Sequence, residues 1–355
     1  METVNHQSTD ISTSTSNPTE LKALIDWLEF TVHDLAVDTI INLILKLDPK
    51  DFMDLPKGRY GYRKQKIWNA GTIFLLYNLE SGHDKMGVHI IITGQACRQY
   101  EANKSIPDII NNARRTLAKH KFTRIDIAID DQSNQTLNFD KFLDYSEKGY
   151  TSSLWYKYSV LMEKQIANTE ILGRTIYYGS KKSKIFMRVY DKKREQIKKA
   201  KVSQQEKESL LKEQPEWTRM ELVFREERAN MAADYILLNE SVGELIRGVL
   251  NHYIRFVEPN PNSKSQQKRR WKTATWWEKV IEDVEEIQLS QKKADRRIED
   301  MQDWIIKQIS PTLATILEAT GGDMNWLINV ITSGSSRLKN KHRQAIIQYI
   351  MENEK

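Results

Sequence analysis

A single cysteine, Cys97, in 355 residues excludes an internal disulfide and any metal cluster built from cysteines. That scarcity fits a reducing, intracellular compartment. No apolar run is long enough to cross a bilayer, and the longest are broken by charge within a few residues, so no membrane partner is expected. The opening stretch METVNHQSTDISTSTSNPTE lacks the basic-then-apolar pattern of a signal peptide. Its Ser, Thr and Asn content reads as a flexible tail over residues 1–20. No repeat of fixed period runs through the chain.

What is present is an ordinary globular composition, 39% hydrophobic and 29% charged, with a formal net charge of +6. The basic excess favours anionic partners, nucleic acid first. Apolar residues alternate or recur at helical spacing in a definite order. Strands are predicted at Ile25–Val32, Gly71–Tyr77, Gly87–Thr93, Phe122–Asp130, Leu154–Met162, Thr175–Tyr178, Ile185–Tyr190 and Trp217–Phe224. Helices are predicted at Leu35–Leu47, Pro107–Lys119, Phe139–Glu147, Lys192–Lys212, Ala229–Leu238 and Val242–Val257. Pro56, Gly58 and Gly61 mark a loop. Past a basic stretch with two prolines, only helical spacing remains: 276–289, 294–309, 312–319, 324–331 and 338–351. The fold class is therefore α+β: a largely antiparallel sheet domain with flanking helices, followed by an all-α C-terminal segment. The divisions are a tail at 1–20, a catalytic domain at 21–257, a basic linker at 258–275 and a helical domain at 276–355. The last helices, broken at Gly321, Gly322 and Gly334, have the outline of a helix-turn-helix unit or of a plain bundle that binds DNA or a partner.

Three strands set arginines beside acids or a phenol on their non-apolar faces: Arg124/Asp126/Asp130, Arg188/Tyr190/Lys192 and Arg219/Glu221. One such strand is commonly a solvated face. If the three converge, Asp126, Asp130 and Glu221 supply hard oxygens for Mg²⁺ or Mn²⁺, and Tyr190 is a nucleophile with Arg188 and Lys192 favouring its phenolate. Tyr177 and Tyr178 are rival nucleophiles or packing residues. His89 is a further ligand, a phosphate contact or a structural histidine. Lys181, Lys182, Lys184, Lys193, Arg194, Lys268, Arg269 and Arg270, with Arg124 and Arg219, are candidate DNA contacts. Trp271, Trp276 and Trp277, interleaved with the linker cations, suggest base stacking.

The segments FTRIDIAID, TIYYGSKKSKIFMRVYDKKRE and WTRMELVF, in this order, resemble the replication initiation factor family, whose members start rolling-circle replication of small plasmids, with conjugative relaxases as relatives. IDWLEFTV and MGVHIIITGQACRQYE are similar to further segments of that family, and the resemblance spans roughly Ile25 to Arg225. It implies that Tyr190, in Arg188-Val189-Tyr190-Asp191-Lys192, attacks DNA at an origin and leaves a 5′-phosphotyrosine and a free 3′-hydroxyl. It also implies metal acids at Asp126, Asp130 and Glu221, a homodimer, a host helicase as partner, and the cytoplasm of a bacterium. A conjugative or mobilisation relaxase with the same chemistry, and a DNA-binding regulator without catalysis, are the alternatives.

Overall fold

A computed structural model describes residues 21–69, 71–200, 202–239, 241–259, 267–281, 298–335 and positions 337, 338, 342, 346, 349 and 350. The expected tail at 1–20 and most of the expected helix at 338–351 lie outside the described residues. The chain forms two compact units, Met1–Leu289 and Ser290–Lys355.

The first unit is built on one large antiparallel sheet. Its strands are β1 (Lys22–Val32), β2 (Phe52–Leu55), β3 (Lys64–Trp68), β4 (Ile73–Tyr77), β5 (Val88–Ile92), β6 (His120–Asp131), then β8 (Tyr158–Lys164), β9 (Ile171–Tyr178), β10 (Ile185–Asp191) and β11 (Thr218–Arg225). A short β7 (Thr151–Ser153) pairs in a second sheet with β12 (Ile254–Glu258), and β12 pairs with β13 (Lys272–Thr273). The large sheet is ordered β2-β3-β4-β5-β1-β6-β11-β10-β9-β8. Long central strands, β1, β6 and β11, hold the middle.

One face of this sheet is apolar because the strands alternate. Leu28, Phe30 and Val32 of β1 share it with Ile125, Ile127 and Ile129 of β6, Met220, Leu222 and Phe224 of β11, and Ile185, Met187 and Val189 of β10. Against it lie α2 (Gly94–Glu101), α3 (Ile106–Arg115), α4 (Phe139–Glu147), α7 (Glu227–Asn239) and α8 (Val242–Tyr253), following the short α1 (Val37–Ile40) and its π-helical turn Ile41–Leu45. After β10 come α5 (Lys192–Lys199) and α6 (Gln204–Glu213).

Several boundaries differ from the periodicity reading, each for a local reason. The single helix expected over Lys192–Lys212 is two: Ser203 caps α6 through a reciprocal bond with Glu206, which restarts the helix. The helix expected to run to Val257 ends at Tyr253, and Ile254–Glu258 turns to strand pairing. β2, β3 and α2 were not foreseen. β2 and β3 flank the Pro/Gly loop, and Thr93 accepts from the Ala96 amide to start α2.

The basic stretch is not a spacer between two domains. α9 (Thr275–Ile281) buries Trp277, Val280 and Ile281 in the core of the first unit. The Trp277 ring meets Phe142 and Phe256 edge-on, at 6.0 and 5.0 Å between centroids. Trp276 packs against the same two phenylalanines. Both tryptophans therefore anchor hydrocarbon instead of offering stacking surfaces to bases. The first compact unit runs past position 276, to Leu289.

The second unit is helical among its described residues: α10 (Ile298–Trp304), a π-helical turn Ile305–Ile309, α11 (Ser310–Ala319) and α12 (Met324–Ser335). Gly321 and Gly322, both at positive φ, close α11 as the sequence suggests. No helix of the described residues is long and apolar enough to cross a membrane.

Candidate active site on the polar face of the sheet

The three alternating strands singled out by sequence, β6, β11 and β10, are consecutive neighbours. Register sets Asp130 opposite Arg219, and Arg219 opposite Tyr190. One step along, Ala128, Glu221, Arg188 and Tyr177 form the next cross-strand row. Arg124, Asp126, Asp130, Arg219, Glu221, Arg188 and Tyr190 thus share the face opposite the apolar core.

The phenol of Tyr190 is only 8% exposed. Its hydroxyl donates to Glu221 Oε1. Arg188 donates through Nε to Glu221 Oε2 at 2.5 Å, and its Nη2 lies 3.6 Å from Asp126 Oδ2. Lys192 Nζ sits 5.5 Å from the Tyr190 ring centroid and pairs with Glu195 at 2.6 Å. Arg124 clamps Asp126 through two hydrogen bonds of 2.8 and 2.6 Å. Arg219 clamps Asp130 the same way at 2.6 Å each, and its third nitrogen donates to Asp26 at 2.7 Å.

Asp26 was not foreseen. A bulge in β1 between Ile25 and Trp27 places it outside the alternation and re-aims it at Arg219. The buried residues of β1 carry the mark, since Ile25 and Leu28 are three apart where Leu28, Phe30 and Val32 are two apart. Arg219 is thereby the hub of a nearly buried triad. Replacing it by methionine leaves two acids facing each other without a cation. Destabilisation of about 3–5 kcal/mol is expected, as for breaking a buried pair by removing one partner. Urea unfolding measures it, and a loss under about 1 kcal/mol would mean the pair is solvated.

Protonation follows from these contacts. Burial, reinforced by the Glu221 charge, raises the Tyr190 phenol well above its ordinary value, and Arg219 and Arg188 recover only part of it. This reverses the expectation that neighbouring cations leave a phenolate: the resting side chain is the neutral phenol. Burial also pushes Glu221 upward, but the Arg188 charge, the Tyr190 hydrogen bond and Arg219 outweigh it, and its carboxyl ends below the ordinary range. Burial lifts Asp126 to about 6 against the pull of Arg124 and Arg188. A neutral phenol thus faces an ionised carboxylate.

The cation site expected at Asp126, Asp130 and Glu221 is not formed. Mg²⁺ or Mn²⁺ needs several oxygens turned to one point. Here each acid closes on a guanidinium instead, and the described residues hold no group of three or more His, Cys, Asp or Glu placed to bind a metal ion. In this arrangement the residues do not fit the ion.

The other sequence candidates divide. His89 lies farther along the same face, beside Thr31 at 2.9 Å and Glu29 at 3.7 Å. Tyr178 is core, its hydroxyl 2.7 Å from that of Ser146. Tyr177 shares the face of Arg188, with Lys181 Nζ 3.7 Å from its ring centroid. Lys193 is not a surface cation: it is 5% exposed and donates to Glu216 at 2.9 Å. Arg194 pairs back to Asp191 at 3.2 Å, and Lys184 is held by Glu226 and Glu227 at 3.2 and 2.6 Å. Lys181, Lys182, Lys268, Arg269 and Arg270 are exposed.

The sheet thus carries helices on one face and, on the other, a tyrosine among arginines and acids, an arrangement whose guanidinium groups suit a phosphate. The Replication initiation factor family model matches residues 120–331, and the model for the Rolling Circle replication initiation protein N-terminal domain matches 22–107. The putative DNA relaxase NicK of Bacillus subtilis (strain 168) is 30% identical over 307 residues, 84% of this chain and 82% of that one. The solved rolling circle replication initiator protein of Geobacillus stearothermophilus is 25% identical with a TM-score of 0.63, covering 76% of this chain and 99% of that one. The chain belongs to the replication initiation factor family.

Proposed function

We propose that the protein nicks and rejoins one strand of DNA at a replication or transfer origin, with Tyr190 as nucleophile. The observation that supports this most is the Tyr190 hydroxyl held on Glu221 between Arg188 and Arg219. A scissile phosphate entering here competes with Glu221 and Asp126 for Arg188. As Arg188 turns to the phosphate, Glu221 loses its strongest countercharge and becomes a better base. It takes the phenol proton while the tyrosine oxygen bonds to phosphorus. The bond to the 3′ oxygen breaks, that oxygen takes a proton from water, and a 5′-phosphotyrosine remains. The reverse transfer reseals a strand with no outside energy source, because the ester retains the bond energy. Arg188, released from Glu221, holds the phosphate oxygens as charge builds.

The relatives' names point to two settings, a rolling-circle initiator and a relaxase. Both need this same reaction. Partners belong to the reading as well: a second copy of the chain, which light scattering measures, and a host helicase, which copurification measures. Supercoiled DNA carrying the sequence that flanks the gene, incubated in Mg²⁺ or Mn²⁺, should become open circle with protein attached to one 5′ end. DNA that is bound but never cut would leave a binding regulator in its place.

The turn Lys268–Arg270 is an exposed group of three cations suited to non-specific grip. Changing all three to alanine should lower the slope of log affinity against log salt by about 0.9 for each phosphate no longer neutralised, with nicking at saturating DNA preserved. An unchanged slope would remove this turn from the interface.

A further inference from the structure

Beyond Tyr190 the polar face leads into a cavity of about 240 Å³. Its floor is the cross-strand row Leu161, Thr175 and Tyr190, one residue each from β8, β9 and β10. Gly173 and Tyr177 stand on either side of Thr175 along β9, and Arg188 closes the end nearest Glu221. Little of Tyr190 reaches solvent, and Tyr190 lines this cavity.

The chemistry of the walls is mixed. Leu161 and the Tyr177 ring are apolar surfaces that a bare phosphate would not call for, whereas Arg188 and the Thr175 hydroxyl are polar; the acids on the rim, Glu163, Asp191 and Glu195, are each paired with a cation, Lys198, Arg174 and Lys192. Gly173 is telling. It lies inside a strand, and a Cβ added there would meet only Glu163 Oε2, at 3.3 Å, the end of a flexible side chain. No backbone crowding explains its missing side chain. What the glycine does is keep the floor open, as expected where a ligand comes close. The volume lies below the ~300 Å³ at which pockets for drug-sized ligands begin, which suits one planar ring with apolar faces and polar edges.

We propose that this cavity seats the base of a nucleotide bordering the phosphodiester that Tyr190 attacks, drawn out of the stack of its neighbours. The proposal rests on the Tyr190 reading. Seating the base swings its phosphate onto Arg188, so recognition and placement of the reacting group are one event. The substrate is accordingly single-stranded or locally unpaired at the nick, since a paired base cannot enter.

The test uses the full chain carrying Tyr190→Phe, so that binding is read without cleavage. Short single-stranded oligonucleotides span the nick mapped with the parent protein, and one abasic residue is stepped through positions on either side. One position should cost about tenfold in affinity, in the range for loss of one stacked base. Adding Gly173→Leu should weaken the intact oligonucleotide by a similar factor and abolish that abasic penalty, because the floor is then filled. Tyr177→Ala, which removes a wall and crowds nothing, should also shrink the penalty. An abasic penalty that persists undiminished in both variants, or no penalty at any position, overturns the proposal. Should the parent nick no DNA at all, the Tyr190 reading fails separately. The cavity is then read with oligothymidylate: weaker binding by Gly173→Leu supports it, and equal binding overturns it.

Discussion

Tyr190→Phe should bind DNA as the parent does and cut it slower by on the order of 10⁴-fold or more, the scale on which enzymes lose rate when a covalent nucleophile is deleted. The substitution removes one oxygen from a ring whose other contacts stay. Glu221 loses one donor but keeps Arg188 at 2.5 Å, so no buried charge is stranded. The stability cost should stay near that of one hydrogen bond, about 1 kcal/mol. Circular dichroism and a binding isotherm separate loss of chemistry from loss of fold. Tyr177 sits opposite Arg188 on the same face, so the rate left in Tyr190→Phe also measures whether it can substitute. Nicking by the variant at even a tenth of the parent rate would move the nucleophile elsewhere.

Glu221→Gln should produce the second large effect, a loss of about 10²–10⁴-fold, the span ascribed to a positioned general base. It should also change the shape of the pH profile. In the parent the Glu221 carboxyl lies below its ordinary value, so it is ionised throughout the neutral range and the rate is flat there. The rate falls only when acid pH protonates Glu221 and nothing is left to accept the phenol proton. In the variant, deprotonation falls to hydroxide. The variant loses the Glu221 charge that helps raise the phenol but keeps the burial that is the larger cause, and while the phenol stays mostly neutral its ionised fraction, and with it the rate, should climb about tenfold per pH unit with no plateau near neutrality. A variant that keeps the flat profile would show that Glu221 only holds the ring in place.

How far the sequence reaches can be followed residue by residue. Alternation alone assigns Asp126, Glu221, Arg188 and Tyr190 to the polar sides of their strands, because the period of two is a local property. That β6, β11 and β10 are neighbours is non-local. It depends on β11 pairing with β6 across the stretch between Asp131 and Thr218, and periodicity does not encode it. Arg124 and Asp126 are two apart on one side of a strand, which brings them within reach of a salt bridge. The spacing alone does not say whether such an acid meets that cation or a metal; here it meets Arg124. Asp26 was hidden by a bulge whose only trace is an odd interval between Ile25 and Leu28. Trp276 and Trp277 misled for a different reason: a basic run next to aromatic residues looks like a nucleic-acid surface unless one knows that Phe142 and Phe256 await them in the core.

The central claim is that one oxygen, the Tyr190 hydroxyl, becomes bonded to DNA. Protein stopped during turnover on a labelled strand, digested with a protease and sequenced by tandem mass spectrometry, identifies the modified side chain directly. The peptide holding Arg188-Val189-Tyr190-Asp191 should carry the nucleotide, with the added mass on the tyrosine. A nucleotide found on Tyr177 or on any other residue would contradict the account.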